Sequence, residues 1–285
     1  KVIPSNRMPS STPNPIPDAP AIPAYSHSQL QTFRQCPQKF KFRYIDRIAT
    51  GIEGIEAFAG SRVHDALRKL FEEITGDNFH SLNVLLDFYE SRWKEKWHDG
   101  VRIAHPHKSK EDYFAHGLAC IRNFYAKNHP FNQSQTLSVE KRVEFDLAAG
   151  RPRLFRGYVD RISSRPDGTC EIHDYKTSRT VPSRRDLVDG IHKDALQVSL
   201  YQIAVSSELP ASTPFELFLH YLSRGITYRL RRKPQSLVQI LQDTNRLADQ
   251  IESAQSFPAK KHRLCDWCEF QKICPAWTGA TDVPL

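Results

Sequence analysis

Two runs of strand-forming residues, Gly157-Tyr158-Val159-Asp160-Arg161-Ile162 and Glu171-Ile172-His173-Asp174-Tyr175, flank the turn-forming stretch Ser164-Arg165-Pro166-Asp167-Gly168. Together they require an antiparallel hairpin. A turn centred on Asp167 places Asp160 seven residues before it and Asp174 seven after. The two carboxylates then oppose each other on adjacent strands, with Cβ atoms about 5 Å apart. Strand alternation puts Lys176 on the face of Asp174 and turns Tyr175 away. Two carboxylates and an ammonium on one patch suit a divalent cation and a phosphate. A slip of one residue would send the carboxylates to opposite faces, so the chemistry depends on register.

The pattern around the hairpin predicts a mixed fold. Pro-rich residues 1–24, with seven prolines, read as a flexible extended tail. Ser28 is a candidate N-cap for a short helix carrying Leu30 and Phe33, and Pro37 opens a second. Val63, Ala66, Leu67, Leu70 and Phe71 form a helical stripe within Ala57 to Glu73. Residues 81–130 read as two further helices joined by the His-rich stretch His98 to His107, whose histidines are expected to be solvated. Strands are expected over Leu137 to Leu147, Arg153 to Ser163, Thr169 to Thr177, Pro214 to Ser223 and Ile226 to Arg232. Helices are expected over Asp194 to Ser206 and Ser236 to Ala254. The fold class is α/β: a central mixed β-sheet flanked by helices, in one domain over residues 25–277. Within it, 56–134 is a helical segment, 137–232 the sheet core and 236–277 a C-terminal helix and cysteine segment. Residues 278–285 form a tail.

A chain of 285 residues with 39% hydrophobic and 25% charged content is an ordinary globular composition, not a disordered one. No apolar run reaches about 18 residues, so no membrane span is expected, and no secretory leader pattern opens the sequence. A net charge of +8 permits a polyanionic partner without requiring one. Three of the six cysteines, Cys265, Cys268 and Cys274, fall within ten residues. This spacing points to metal or cluster ligation in a reducing, cytoplasmic compartment. Cys36, followed by Pro37 as Cys274 is by Pro275, is the obvious fourth ligand. A four-thiolate zinc site and unligated cysteines remain as alternatives. Cys120 and Cys170 have no partner at useful spacing.

Further along, His64 lies four residues after Gly60, and Gln197 and Tyr201 are four apart on one helix face. The ordered set Gly60-x-x-x-His64, Gly157-x-x-Asp160, Asp174-Tyr175-Lys176 and Gln197-x-x-x-Tyr201 resembles the RecB-like branch of the PD-(D/E)XK nucleases. The resemblance runs from about Tyr25 to Trp277, and it implies a restriction-endonuclease-like core. It implies that His64, Asp160 and Asp174, helped by the Tyr175 carbonyl, bind Mg²⁺ or Mn²⁺. By the same resemblance Lys176 positions the attacking water or neutralises charge on the phosphorane, Gln197 orients the site and Tyr201 lines the DNA path. Glu140 or Glu144, on the preceding strand, is a candidate further acidic contact. The one-plus-three cysteine layout resembles the iron–sulfur members of that branch, including the AddB nuclease domain, CRISPR-associated DNA-processing nucleases and eukaryotic single-strand exonucleases. A 4Fe–4S cluster on Cys36, Cys265, Cys268 and Cys274 is implied, joining the N- and C-terminal parts and closing a long loop.

Arg229 and Arg231 alternate outward on a strand, either to track phosphates or to guard a sheet edge by charge. No phosphate-binding loop of the G-x-x-x-x-G-K-[ST] type occurs. The chain is therefore expected to act on single strands or ends, or to receive unwound DNA from a helicase or processing-complex partner. The expected function is a metal-dependent DNA exonuclease acting on single strands in repair, recombination or end processing. The alternatives are an end-trimming subunit of a larger complex, as in CRISPR adaptation or a helicase–nuclease, and a catalytically inert DNA-binding subunit.

Overall fold

The protein is represented by a computed structural model that describes residues 24–74, 79–147, 153–190 and 192–279. The Pro-rich tail up to residue 23 and the last residues, 280–285, lie outside the described set. The chain opens with α1 (His27–Gln35), closed at its start by a Ser26–Gln29 capping box. Pro37 at the first helical position starts α2 (Pro37–Phe40), which continues as a π-helical turn over Lys41–Ile45. A two-residue strand β1 (Glu53–Gly54) leads into α3 (Ile55–Glu72), followed by α4 (Leu82–Lys96), β2 (Val101–Arg102) and α5 (Lys110–Asn128). β1 and β2 pair in parallel, a contact too short to leave a sequence pattern.

Five strands build the sheet: β3 (Gln135–Asp146), β4 (Leu154–Ser164), β5 (Cys170–Lys176), β6 (Phe215–Tyr221) and β7 (Ile226–Leu230), in that spatial order. Between β5 and β6 come α6 (Arg184–Val188) and α7 (Lys193–Ser206), and α8 (Pro234–Glu252) and α9 (Pro275–Thr278) follow the sheet. All neighbours are antiparallel except β5 and β6. That parallel pair needs a crossover, which α7 supplies. α6 is a short helix at whose start the Ser183 side chain accepts from the Asp186 amide, with Asp186 in the first turn.

The β4–β5 turn has the predicted centre. Asp167 Oδ1 accepts from the Thr169 amide at 2.9 Å, and Gly168 takes the left-handed φ of 81° that closes it. Arg161 consequently faces His173, and the same register carries on to Asp160 and Asp174, where the ladder has ended.

Two cores sandwich the sheet. Val143, Phe155, Val159, Ile172 and Leu219 pack on the side of α7 and α8. Tyr175 turns to the other side, among Val63, Leu67, Phe71 and Phe124 of α3 and α5. On β4 the alternation slips. Val159 and Ile162 both enter the α7-side core, whereas Arg161 lies 4.0 Å over the Phe71 ring on the opposite side. Opposite this slip, Glu140 adopts a left-handed φ of 46°. The irregularity therefore falls on the two strands at the level of Glu140 and Asp160.

Candidate active site

Four elements converge at the end of the β4–β5 ladder. α3 brings His64, β3 brings Glu140, β4 brings Asp160 and β5 brings Asp174, the Tyr175 carbonyl and Lys176. Gly60 lets α3 approach the end of β5, since a Cβ there would lie 3.2 Å from Thr177 Oγ1. One turn later His64 Nε2 lies 2.9 Å from the Tyr175 carbonyl, to which it donates, and its Nδ1 faces Asp160 Oδ1 at 3.4 Å. Asp160 Oδ2 accepts from the Tyr175 amide at 2.7 Å, which fills the gap where the ladder stops.

Donor atoms of His64, Glu140 and Asp160 all lie within 4.8 Å of one another, the one such group of three or more among the described residues. Imidazole and carboxylate oxygens are a donor set suited to Mg²⁺ or Mn²⁺. Asp174 is not part of that group. Its carboxylate is buried and turned to Lys176, whose ammonium lies 2.6 Å from Oδ2. Three gathered donors, with the buried Asp174 carboxylate close by, fit a bound cation. Of the two acids considered on β3, Glu140 joins the group, whereas Glu144 is engaged by Arg142 and Arg156.

Burial pushes the Asp174 carboxyl up to about 7, against the pull of Lys176. Burial works the same way on Asp160, but the His64 and Lys176 cations hold its carboxyl below the usual range. Desolvation opposes a charged His64, yet Asp160, Asp174 and Glu140 carry it up to about 9. Lys176 is likewise kept charged by Asp174, Asp194 and Asp160 despite its burial. Against these acids stand His64 and Lys176, with Arg68 of α3 acting on Glu140 as well.

Gln197 Oε1 accepts from the Lys176 ammonium at 2.8 Å, and Gln197 Nε2 donates to the Tyr201 hydroxyl at 2.8 Å. Tyr201 differs from its expected role. It is 5% exposed and lies over Gly157, where a Cβ would sit 2.5 Å from its ring. It props Gln197 from below rather than lining a path. Sequence reading missed Asp194, three residues before Gln197 and so on the same face of α7. Buried Asp194 accepts from the Tyr221 hydroxyl at 2.8 Å and adds negative charge near Lys176. An acid at i−3 from the glutamine was the available signal.

Arg229 and Arg231 both donate to the buried Glu216 carboxylate, with Arg165 close to it as well.

Away from this site, Cys36, Cys265, Cys268 and Cys274 are half-buried around one cavity of about 590 Å³, walled by Phe42, Phe270 and Trp267. Cys36 precedes α2 and Cys274 precedes α9, each helix opening on proline. The sulfurs do not close to a three-donor group within 4.8 Å. Four 2.3 Å bonds to one zinc would set them about 3.8 Å apart. Cys120 and Cys170 are buried in the two cores.

A family model of the PD-(D/E)XK nuclease superfamily matches residues 24–275. The Gene 69 protein of Mycobacterium phage D29 is 20% identical over 284 residues, spanning 90% of this chain and 98% of the phage protein. Among solved structures, a candidate exonuclease from Eubacterium rectale shares the fold. It has a TM-score of 0.52 at 14% identity and covers 91% of this chain and 90% of its own.

Proposed function

This chain belongs to the PD-(D/E)XK nuclease superfamily, and from that premise we propose that it is a divalent-cation-dependent deoxyribonuclease that shortens single-stranded DNA from an end. The observation that carries the reading is one arrangement. The His64, Glu140 and Asp160 donors stand beside a buried Asp174–Lys176 pair that Gln197 holds in place.

Hydrolysis of a phosphodiester requires neutralising a charged ester, delivering a water in line and stabilising the departing oxygen. A Mg²⁺ or Mn²⁺ ion held by His64, Glu140 and Asp160, with the Asp174 carboxylate beside them, would supply Lewis-acid polarisation of the phosphate and of water. Lys176 places a fixed ammonium next to the ester, where charge grows in the transition state. Gln197 sets the position of that ammonium, and Tyr201 sets Gln197. Asp160, by accepting from the Tyr175 amide, bridges β4 to β5 where the ladder stops and so fixes its own carboxylate at the site. Asp194 adds negative charge that favours a charged Lys176.

We read the four cysteines as holding a 4Fe–4S cluster, as in the iron–sulfur subgroup of the RecB-like branch. The sulfurs line one sizeable cavity and no three of them lie within 4.8 Å of one another, which favours a polynuclear group over a single zinc ion. Such a group fastens the α1–α2 junction to the C-terminal segment, a structural role. The absence of a G-x-x-x-x-G-K-[ST] loop from this sequence accords with action on strands already unpaired. Among the described residues no helix is long and apolar enough to cross a membrane.

End-labelled single- and double-stranded DNA, incubated with Mg²⁺, Mn²⁺ or EDTA, tests the activity. Metal-dependent shortening of the single strand is expected, with Lys176→Ala and Asp174→Ala lowering the rate by about 10²- to 10³-fold or more. Intact DNA under every metal condition would refute the reading. Anaerobically purified protein is expected to be brown and to contain iron and sulfide, and Cys268→Ser to lose both. A colourless zinc protein would overturn the cluster assignment.

A further inference from the structure

The face of β3 and β4 that carries the acid pair continues beyond it. In register, Arg142 stands opposite Tyr158 and Glu144 opposite Arg156, and the flanking pairs place Glu140 opposite Asp160. Gly157 and Val159 turn the other way, toward Tyr201 and the α7-side core. Arg156, Tyr158 and Asp160 therefore share one face at intervals of about 7 Å. Past the acid pair this face is open. Tyr158 is 52% exposed, and the Arg142 and Arg156 side chains are 53% and 40% exposed. Among the described residues β3 is also an edge strand of the five-stranded sheet.

Its chemistry is distinctive. Both guanidiniums donate to one carboxylate, that of Glu144, so the rung keeps a net positive charge. An aromatic ring left in solvent, two residues from a candidate metal ligand and flanked by surplus positive charge, matches an unpaired base with its phosphates. In a duplex the bases are already stacked and paired, so the ring would find no free π-face.

We propose that this open face is the path of single-stranded DNA next to the scissile phosphate, with Tyr158 stacking on a neighbouring base and Arg142 and Arg156 meeting the flanking phosphates. The inference deepens the nuclease reading above and rests on it for the place of the scissile phosphate. Base–aromatic stacking tolerates any base, so the face sets strandedness rather than sequence.

Binding is read in EDTA, independently of cleavage, by anisotropy of a short labelled single strand and of its duplex. Wild type is expected to prefer the single strand. Tyr158→Ala should weaken binding about tenfold and Tyr158→Trp should keep it. The Arg142→Ala/Arg156→Ala pair should weaken binding and flatten its salt dependence. Sedimentation of the free proteins is measured in parallel. Tyr158→Ala and the arginine pair binding as tightly as wild type would overturn the inference. So would a Tyr158→Ala effect confined to self-association, which would give the face to a second copy of the chain. Tyr158-dependent binding with no cleavage under any metal condition sinks the nuclease reading alone. Cleavage with Tyr158-independent binding sinks this inference alone.

Discussion

Replacing His173 and His220 together by glutamine is expected to remove a large part of the protein's sensitivity to mild acid. The two rings are buried on adjacent strands β5 and β6, with His173 Nδ1 3.0 Å from His220 Nε2. Arg161 can only donate, so His173 Nε2 accepts from it at 2.8 Å. The His173 Nδ1–H then donates to His220, whose own Nδ1–H points to Thr227 Oγ1 at 3.1 Å. Each ring thus holds one proton and has its acceptor nitrogen filled. Burial first, and then the Arg161 charge, hold His173 well below its ordinary pKa; burial, His173 and Arg161 do the same to His220. The native pair stays neutral while an unfolded chain charges both rings below about pH 6.5. Stability contributed above that pH is therefore lost as the pH falls through and below it. Two rings at about 1.36 kcal/mol per pH unit give a loss of about 4 kcal/mol between about pH 7 and about pH 5. Asp174, raised to about 7, works in the opposite direction over the same range, so the variant rather than the wild-type curve isolates the pair. Urea denaturation of both proteins across that range is the assay. The variant starts less stable at neutral pH. The stability gap should then shrink by about 4 kcal/mol, or about 1.3 M in midpoint for a slope near 3 kcal/mol per M. Midpoints that fall in parallel would refute the reasoning.

Two further substitutions probe how the site is held. Gly157→Ala places a Cβ 2.5 Å from the buried Tyr201 ring. The overpacking should cost about 1–3 kcal/mol in chemical denaturation, and displaced Gln197 should slow cleavage through Lys176. Glu140→Gln should weaken Mn²⁺ binding about tenfold or more by calorimetry, because a carboxylate leaves the donor group. Glu144→Gln, which faces only Arg142 and Arg156, should leave Mn²⁺ affinity unchanged.

The hairpin was legible because its turn chemistry is local. Asp167 and Gly168 specify the turn, and strand alternation does the rest, so Tyr175 lands in one core and Ile172 in the other. Helices α3, α5, α7 and α8 were legible for the same reason, since an amphipathic stripe repeats over several turns. Elements of two to five residues, such as β1, β2 and α6, carry too few positions for any period to show. The side chains around Lys176 were legible only in part. Gln197 lies where its helix face predicted, but the burial of Tyr201 depends on Gly157 of another strand. Likewise, nothing local to Arg229 and Arg231 announces that Glu216, thirteen and fifteen residues earlier, draws both in.

Asp160 and Asp174 were set across from each other by the sequence alone, because register follows from a turn and a period of two. Which acids gather was decided by tertiary structure. The alternation slips at Asp160 and Glu140 turns left-handed opposite it, so these two meet His64 from α3 while Asp174 turns to Lys176. The slip sets Val159 and Ile162 in one core and Arg161 against Phe71 of the other. It depends on packing among residues far apart in the chain, which no local pattern encodes.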